Sequence, residues 1–159
     1  MSDLQGGTCI DRRCCVVRFR VLGPLEIVDG DRRPVALDSP RLRAVVCRLL
    51  IDPGHVVSAD GLIAALWGAD APPGAAGTVQ TYITRLRRVL EPGRQARGAA
   101  TVLVTRPTGY AISLEGSSVD AVDMASLVRA GTDALAAGDA ASALALMTSA
   151  RELWRGRPF

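Results

Sequence analysis

The sequence predicts an α+β fold, a winged helix-turn-helix followed by an α-helical hairpin. A β-rich segment comes first, three amphipathic helices follow it, and a β-hairpin comes directly after the third helix. The 159 residues are 48% apolar, so a folded core is expected. We predict a flexible lead-in at 1–16, a winged-helix domain at 17–114 and the start of a helical domain at 118–159.

Three short strands are predicted to form a small antiparallel sheet at the start of the folded region. Apolar and arginine side chains alternate between Val16 and Leu22, which is the period of a strand with one buried face. Gly23-Pro24 ends this strand. The second strand is predicted from Leu25 to Val28 and the third from Val35 to Leu37.

The first two helices are predicted from their N-terminal residues. Ser39-Pro40 favours a helix start, because serine caps free N–H groups and proline at the first position loses no hydrogen bond. This helix extends to about Ile51. Ser58 is predicted to cap the second helix, from about Ala59 to Trp67.

The third helix, from about Ala75 to Leu90, separates apolar from polar side chains most clearly. Its apolar stripe consists of Val79, Ile83, Leu86 and Leu90. The opposite face and its flanks carry the candidate DNA-contacting residues Thr78, Gln80, Thr81, Thr84, Arg85, Arg87 and Arg88. A polar helix face is often merely solvated. Arginine, threonine and an amide without any acidic residue before Glu91 instead favour a polyanion as partner.

A β-hairpin is predicted directly after this helix. Its strands run from Thr101 to Thr105 and from Tyr110 to Leu114, with a turn between them. Arg106 and Thr108 in that turn are candidate contacts to a DNA backbone or minor groove. The intervening loop, predicted to be mobile, carries two further arginines, Arg94 and Arg97.

The charge distribution supports a polyanion partner and argues against an enzyme. Residues 17–114 hold 13 arginines and 8 acidic residues, whereas residues 115–159 hold 4 and 6. The chain has no lysine, which excludes Schiff-base and P-loop lysine chemistry. We find no paired carboxylates, catalytic triad order or Cys-x-x-Cys pair, and we expect no catalytic residue, cofactor or metal.

The C-terminal part predicts two helices after a linker at about Glu115 to Ser118. They are expected near Val122 to Ala137 and Ala140 to Trp154. Small and flexible side chains recur at the positions that pack in a tetratricopeptide-type (TPR-like) helical hairpin, namely Gly131, Ala143, Met147 and Ala150.

Four separated motifs resemble the Streptomyces antibiotic regulatory protein (SARP) family. They are Phe19-Arg20-Val21-Leu22-Gly23-Pro24-Leu25-Glu26; Val56-Val57-Ser58 with Leu62-Ile63 and Leu66-Trp67-Gly68; Thr78-Val79-Gln80-Thr81-Tyr82-Ile83 with Arg85-Leu86-Arg87-Arg88; and Arg106-Pro107-Thr108-Gly109-Tyr110. The resemblance implies an OmpR-type winged helix over about 17–114. It makes the third helix the recognition helix and the hairpin the wing.

The same resemblance implies a biological role. Residues 118–159, with Leu153-Trp154-Arg155-Gly156, are similar to the start of the family's bacterial transcriptional activation domain, and we expect that domain to be truncated here. The resemblance implies an activator of a secondary-metabolite (antibiotic) biosynthetic gene cluster. Such an activator binds direct repeats in double-stranded DNA near a promoter, contacts RNA polymerase and forms a homodimer on DNA.

An alternative is a truncated regulatory or interaction module that pairs or competes with a full-length regulator. No apolar run approaches the roughly 18–20 residues that a membrane helix needs, so we expect no membrane partner and a cytoplasmic protein.

Overall fold

The computed structural model describes residues 17–94 and 98–158. Its elements are, in chain order, β1 (Val17–Arg20), β2 (Glu26–Asp29), α1 (Pro40–Leu50), β3 (Val57–Ser58), α2 (Ala59–Trp67), α3 (Ala75–Leu90), β4 (Leu103–Arg106), β5 (Gly109–Ile112), β6 (Ser117–Val119), α4 (Asp120–Ala136) and α5 (Ala140–Glu152). This order confirms the α+β winged helix-turn-helix and the helical hairpin after it. The predicted lead-in at 1–16 lies outside the described residues, as does Arg97.

No helix within the two described ranges is both long and apolar enough to cross a membrane.

The N-terminal sheet has the strand order β2-β1-β6, and it corrects two predictions. β1 pairs with β2 antiparallel, as predicted, but it pairs with β6 in parallel. The linker predicted at 115–118 is therefore wrong at residues 117 and 118, which belong to β6. The strand predicted at 35–37 is also wrong, since only an isolated bridge joins Val28 and Pro34 there. Val35 donates its N–H to the Ile27 carbonyl at 2.8 Å beside this bridge, but no ladder continues to Leu37.

The three helices of the winged-helix region pack their apolar stripes into one core. The side chains of Leu49 in α1, Leu62 in α2 and Leu86 in α3 are completely buried. The Ser58 hydroxyl oxygen accepts the Gly61 N–H at 3.0 Å, which confirms the predicted cap of α2. The predicted side-chain cap at Ser39 is wrong. Only its backbone carbonyl contributes, by accepting the Arg43 N–H at 3.1 Å.

The second sheet has the strand order β3-β5-β4 and forms the wing. β3 was not predicted from the sequence; its two residues pair antiparallel with β5. Gly109 lies at this crossing, and a Cβ atom there would be 2.1 Å from the Val57 carbonyl oxygen. Glycine is therefore required because the two backbones approach so closely.

The helical hairpin is attached to the N-terminal sheet by buried polar groups. The Asp120 carboxylate, at the start of α4, accepts the backbone N–H groups of Val21 at 2.7 Å and Leu22 at 3.2 Å. Arg155, after α5, donates its backbone N–H to the Leu22 carbonyl at 2.6 Å. Its side-chain Nη1 lies 2.7 Å from the Glu26 Oε1. These contacts fix both ends of the hairpin to the loop between β1 and β2.

Within the hairpin, α4 and α5 approach closely at the small residues that the sequence indicated. A Cβ atom on Gly131 would be 3.1 Å from Met147 Cε. Gly138 turns the chain with a φ of 82°, which L side chains rarely adopt. Asp139 then caps α5 by accepting the Ser142 N–H at 3.0 Å.

Candidate nucleic-acid interface

The structure places most of the predicted contact residues of α3 on its solvent-exposed side. The apolar stripe is buried beneath, which fixes the rotation of the helix about its axis. Five predicted residues are exposed, namely Gln80, Thr81, Thr84, Arg85 and Arg88. Thr78 and Arg87 are half-buried.

The three threonines of this face hydrogen-bond within their own helix. The Thr81 hydroxyl donates to the Gly77 carbonyl at 3.0 Å, and the Thr84 hydroxyl donates to the Gln80 carbonyl at 2.9 Å. Thr78 makes the corresponding bond to Gly74 at 3.4 Å. Because the hydroxyl protons are used in this way, these side chains offer a partner acceptor oxygens and methyl groups. Both suit base edges, the methyl group of thymine included.

Arg85 and Arg88 supply positive charge on the same face. Neither guanidinium makes a hydrogen bond or ion pair within residues 17–94 and 98–158. Each carries five N–H donors in a planar fork that matches phosphate oxygens or the O6 and N7 atoms of guanine. These two side chains are therefore available to a nucleic acid.

Arg87 differs from its two neighbours because its guanidinium already binds the wing. Its Nε donates to the Leu103 carbonyl at 2.8 Å, and its Nη2 donates to the Thr105 hydroxyl at 2.7 Å. Burial lowers the pKa of Arg87 from its ordinary value, and the nearby Arg94 guanidinium adds to the effect.

The wing turn presents the remaining predicted residues. Arg106 pairs with Gly109 across the hairpin, so the turn contains only Pro107 and Thr108. Arg106 and Thr108 are exposed. Within the described part of the chain, the Arg106 guanidinium has no hydrogen-bond or ion-pair partner.

Glu91 has a role in this region that was not predicted from the sequence. One of its carboxylate oxygens accepts the Thr101 N–H at 2.6 Å, the Thr101 hydroxyl at 2.7 Å and the Val102 N–H at 2.8 Å. The sequence showed Glu91 only as the first acidic residue after the polar face. No local pattern indicates this role, because the partners of Glu91 lie ten and eleven residues further along the chain.

Together, α3 and the wing form a basic surface with its acidic residue turned inward. Glu91 is buried, whereas Arg85, Arg88 and Arg106 are exposed. A helix bearing unpaired guanidinium groups fits a major groove, and an adjacent basic turn can reach the flanking backbone.

Comparison with known proteins agrees with this geometry. The family described as "Transcriptional regulatory protein, C terminal" matches residues 33–112. The chain is 39% identical over 143 residues to the regulatory protein AfsR of Streptomyces coelicolor, covering 88% of this chain and 13% of AfsR. It is 37% identical over 143 residues to the transcriptional regulatory protein MoaR1 of Mycobacterium tuberculosis, covering 88% of this chain and 44% of MoaR1. The chain thus spans less than half the length of these relatives.

A solved structure is similar throughout most of the chain. It is that of Mycobacterium tuberculosis EmbR in complex with a low-affinity phosphopeptide, with a TM-score of 0.79 and 33% sequence identity. The similarity covers 90% of this chain and 37% of the EmbR chain, so it includes the helical hairpin as well as the winged helix.

Proposed function

This chain belongs to the family of transcriptional regulators with an OmpR-type C-terminal domain, among regulators of the SARP family, and we propose that it binds specific sequences in double-stranded DNA through α3. Its relatives are DNA-binding regulators, not enzymes. The observation that carries the proposal is the exposed face of α3, where Arg85 and Arg88 are unpaired within the described residues and lie on the same basic surface as the wing.

The proposed contacts divide into two groups. Arg85 and Arg88, together with the exposed amide and hydroxyl groups of α3, read base edges in the major groove. Arg106 and Thr108 contact the sugar–phosphate backbone from the wing and position the domain without reading sequence. The geometry supports this division because the first group lies on a helix and the second lies in a turn beside it.

The biological role that we propose is activation of a secondary-metabolite gene cluster. In this role the protein binds direct repeats near a promoter as a homodimer and contacts RNA polymerase. The support comes from the likeness to regulators such as AfsR and RedD of Streptomyces coelicolor.

Selection of bound sequences from random duplex DNA tests the proposal. On the selected site, we expect Arg85→Ala and Arg88→Ala each to weaken binding by about 1–3 kcal/mol and to relax specificity. Arg106→Ala should weaken binding to selected and scrambled DNA to a similar extent. Arg129, which is exposed on α4 and lines a depression with Leu50 and Ile51 at the end of α1, provides the matched control, and Arg129→Ala should bind as the parent does.

Salt dependence provides a second measurement. Arginine contacts to phosphates release counterions, so affinity should fall steeply between about 50 and 200 mM salt, and Arg106→Ala should reduce the slope by about one. If the Arg85 and Arg88 variants bind both DNAs as the parent does, the exposed face of α3 is only a solvated surface and the proposal fails.

A second candidate is an interaction module that pairs with a full-length regulator. Exposed apolar side chains on the hairpin favour it, since Leu135 is 61% and Leu144 is 70% exposed. An electrophoretic shift assay separates the two candidates. A pure interaction module retards no duplex DNA by itself but changes the shift that a full-length relative produces.

A further inference from the structure

Arg87 joins the recognition helix directly to the wing. Among the described residues β4 is the edge strand of its sheet, so its outer backbone groups have no strand partner in that part of the chain. The Arg87 Nε fills one of these positions by donating to the Leu103 carbonyl at 2.8 Å. Its Nη2 reaches the Thr105 hydroxyl at 2.7 Å, one residue before Arg106. Two hydrogen bonds from one planar guanidinium fix both the distance and the direction of β4 relative to α3.

Glu91 holds the other end of the same segment. It follows Arg87 by one helical turn, and its carboxylate binds the backbone of Thr101 and Val102 just before β4 begins. Arg87 and Glu91 thus attach the strand leading to the wing tip at successive points between residues 101 and 105. Arg87 and Glu91 fix the β4 side of the wing to the helix, and the β5 side is held separately, where Gly109 and Tyr110 pair with β3.

We propose that Arg87 is a positioning residue that sets the wing so that Arg106 contacts the DNA backbone while Arg85 and Arg88 occupy the major groove. This inference rests on the proposed DNA-binding function. It assigns Arg87, predicted from sequence as a DNA contact, to a role that acts through Thr105 and Leu103.

The burial and bonding of Arg87 distinguish it from the groove-facing arginines. Its side chain is half-buried, whereas those of Arg85 and Arg88 are exposed. The single N–H of its Nε is already used by a backbone carbonyl, so a bidentate contact with guanine through Nε would require that bond to break. Holding the wing is therefore the role that its present contacts support.

The first test needs no DNA and measures the motion of the wing by backbone ¹⁵N relaxation. Arg87→Met keeps an unbranched side chain but removes both donors. We expect the order parameters of residues 104–106 and 108 to fall from about 0.85 toward about 0.6, while those of α3 and of the β3–β5 pair stay unchanged. Arg85→Met, the same substitution on the exposed face, is the control and should leave the wing rigid. Unchanged wing order parameters in Arg87→Met would overturn the proposal.

The second test is a double-mutant cycle on the selected DNA site. In the parent, Arg106→Ala removes a charged hydrogen bond and should weaken binding about tenfold. In the Arg87→Met background, the same change should weaken binding less than about twofold, because the wing no longer delivers Arg106 to the DNA. Arg88→Ala should weaken binding by the same factor in both backgrounds.

The outcomes of the cycle separate the alternatives. Equal losses from Arg106→Ala in both backgrounds would show that Arg87 does not position the wing. A reduced effect of Arg88→Ala in the Arg87→Met background would assign Arg87 to the groove contact and likewise overturn the proposal. Arg87→Lys, which keeps one donor group, should restore part of the Arg106 effect.

Thr105→Val keeps the proposal testable if Arg87→Met does not fold. It removes only the hydroxyl that accepts from Nη2, at an exposed position. In the Thr105→Val background, Arg106→Ala should weaken binding less than in the parent, although the difference should be smaller than with Arg87→Met. An equal loss from Arg106→Ala in the parent and in Thr105→Val would count against the proposal. If the parent binds no duplex DNA, the proposed function fails, and the relaxation measurement still decides whether Arg87 holds the wing.

Discussion

Substitution of Asp120 by alanine should destabilise the whole fold, because this carboxylate closes the end of β1. Asp120 is only 4% exposed, and it accepts two backbone N–H groups, from Val21 at 2.7 Å and Leu22 at 3.2 Å. A buried N–H left without an acceptor costs about 1–3 kcal/mol, so Asp120→Ala should cost about 2–6 kcal/mol. Since a domain has only about 5–15 kcal/mol of stability, this loss is a large part of the total.

Urea unfolding followed by circular dichroism measures this loss as a change in the free energy of unfolding. Asp120→Asn should lie between the alanine variant and the parent, because its amide oxygen can still accept the Val21 N–H. Asp133, exposed near the end of α4, provides the control, and Asp133→Ala should stay within about 0.5 kcal/mol of the parent. An Asp120→Ala variant that unfolds at the same urea concentration as the parent would refute the reasoning.

Three further predictions concern the wing, the domain boundary and the cap of α5. Gly109→Ala should lower the stability of the fold by about 1–3 kcal/mol, because the added Cβ would meet the Val57 carbonyl. Gly77→Ala, in open space on α3, should raise the stability by about 0.5–1 kcal/mol. Thermal unfolding measures both changes. A fragment of residues 17–114, the predicted domain, lacks β6 and should therefore melt at a lower temperature than the full chain. It should still bind DNA in an electrophoretic shift assay, and a fragment that binds no DNA would contradict the predicted boundary. Hydrogen bonds from Ser142 lower the pKa of Asp139, so its stabilising effect is present above the ordinary aspartate pKa and lost as the pH falls through the lowered value. The difference in Tm between the parent and Asp139→Ala should therefore shrink as the pH falls below about 4.

The elements with a strong local signal could be predicted from the sequence. α3 begins and ends at the predicted residues, since its apolar stripe repeats at the helical period for four turns. The two strands of the wing were found because turn residues separate two apolar runs. The exposure of the candidate residues on α3 follows from the same periodicity, because the buried stripe leaves the opposite face to solvent.

Elements that depend on distant partners could not be predicted in this way. β6 has only three residues, and it is a strand because β1, about 100 residues earlier, offers it a parallel edge. β3 has two residues and exists only through its pairing with β5. The predicted strand at 35–37 had a suitable local pattern, but its contact with β2 is limited to the bridge at Pro34 and the bond from the Val35 N–H to the Ile27 carbonyl.

The sequence by itself determined the order of the elements, the basic character of the middle of the chain and the exposed face of α3. Local periodicity, caps and charge suffice for these, because each depends on residues within a few turns of one another. Only the tertiary structure decided how the three arginines at the end of α3 are used. Residues 85, 87 and 88 are chemically identical in the sequence. The packing of β4 against α3 gives Arg87 two partners in the wing and leaves Arg85 and Arg88 exposed.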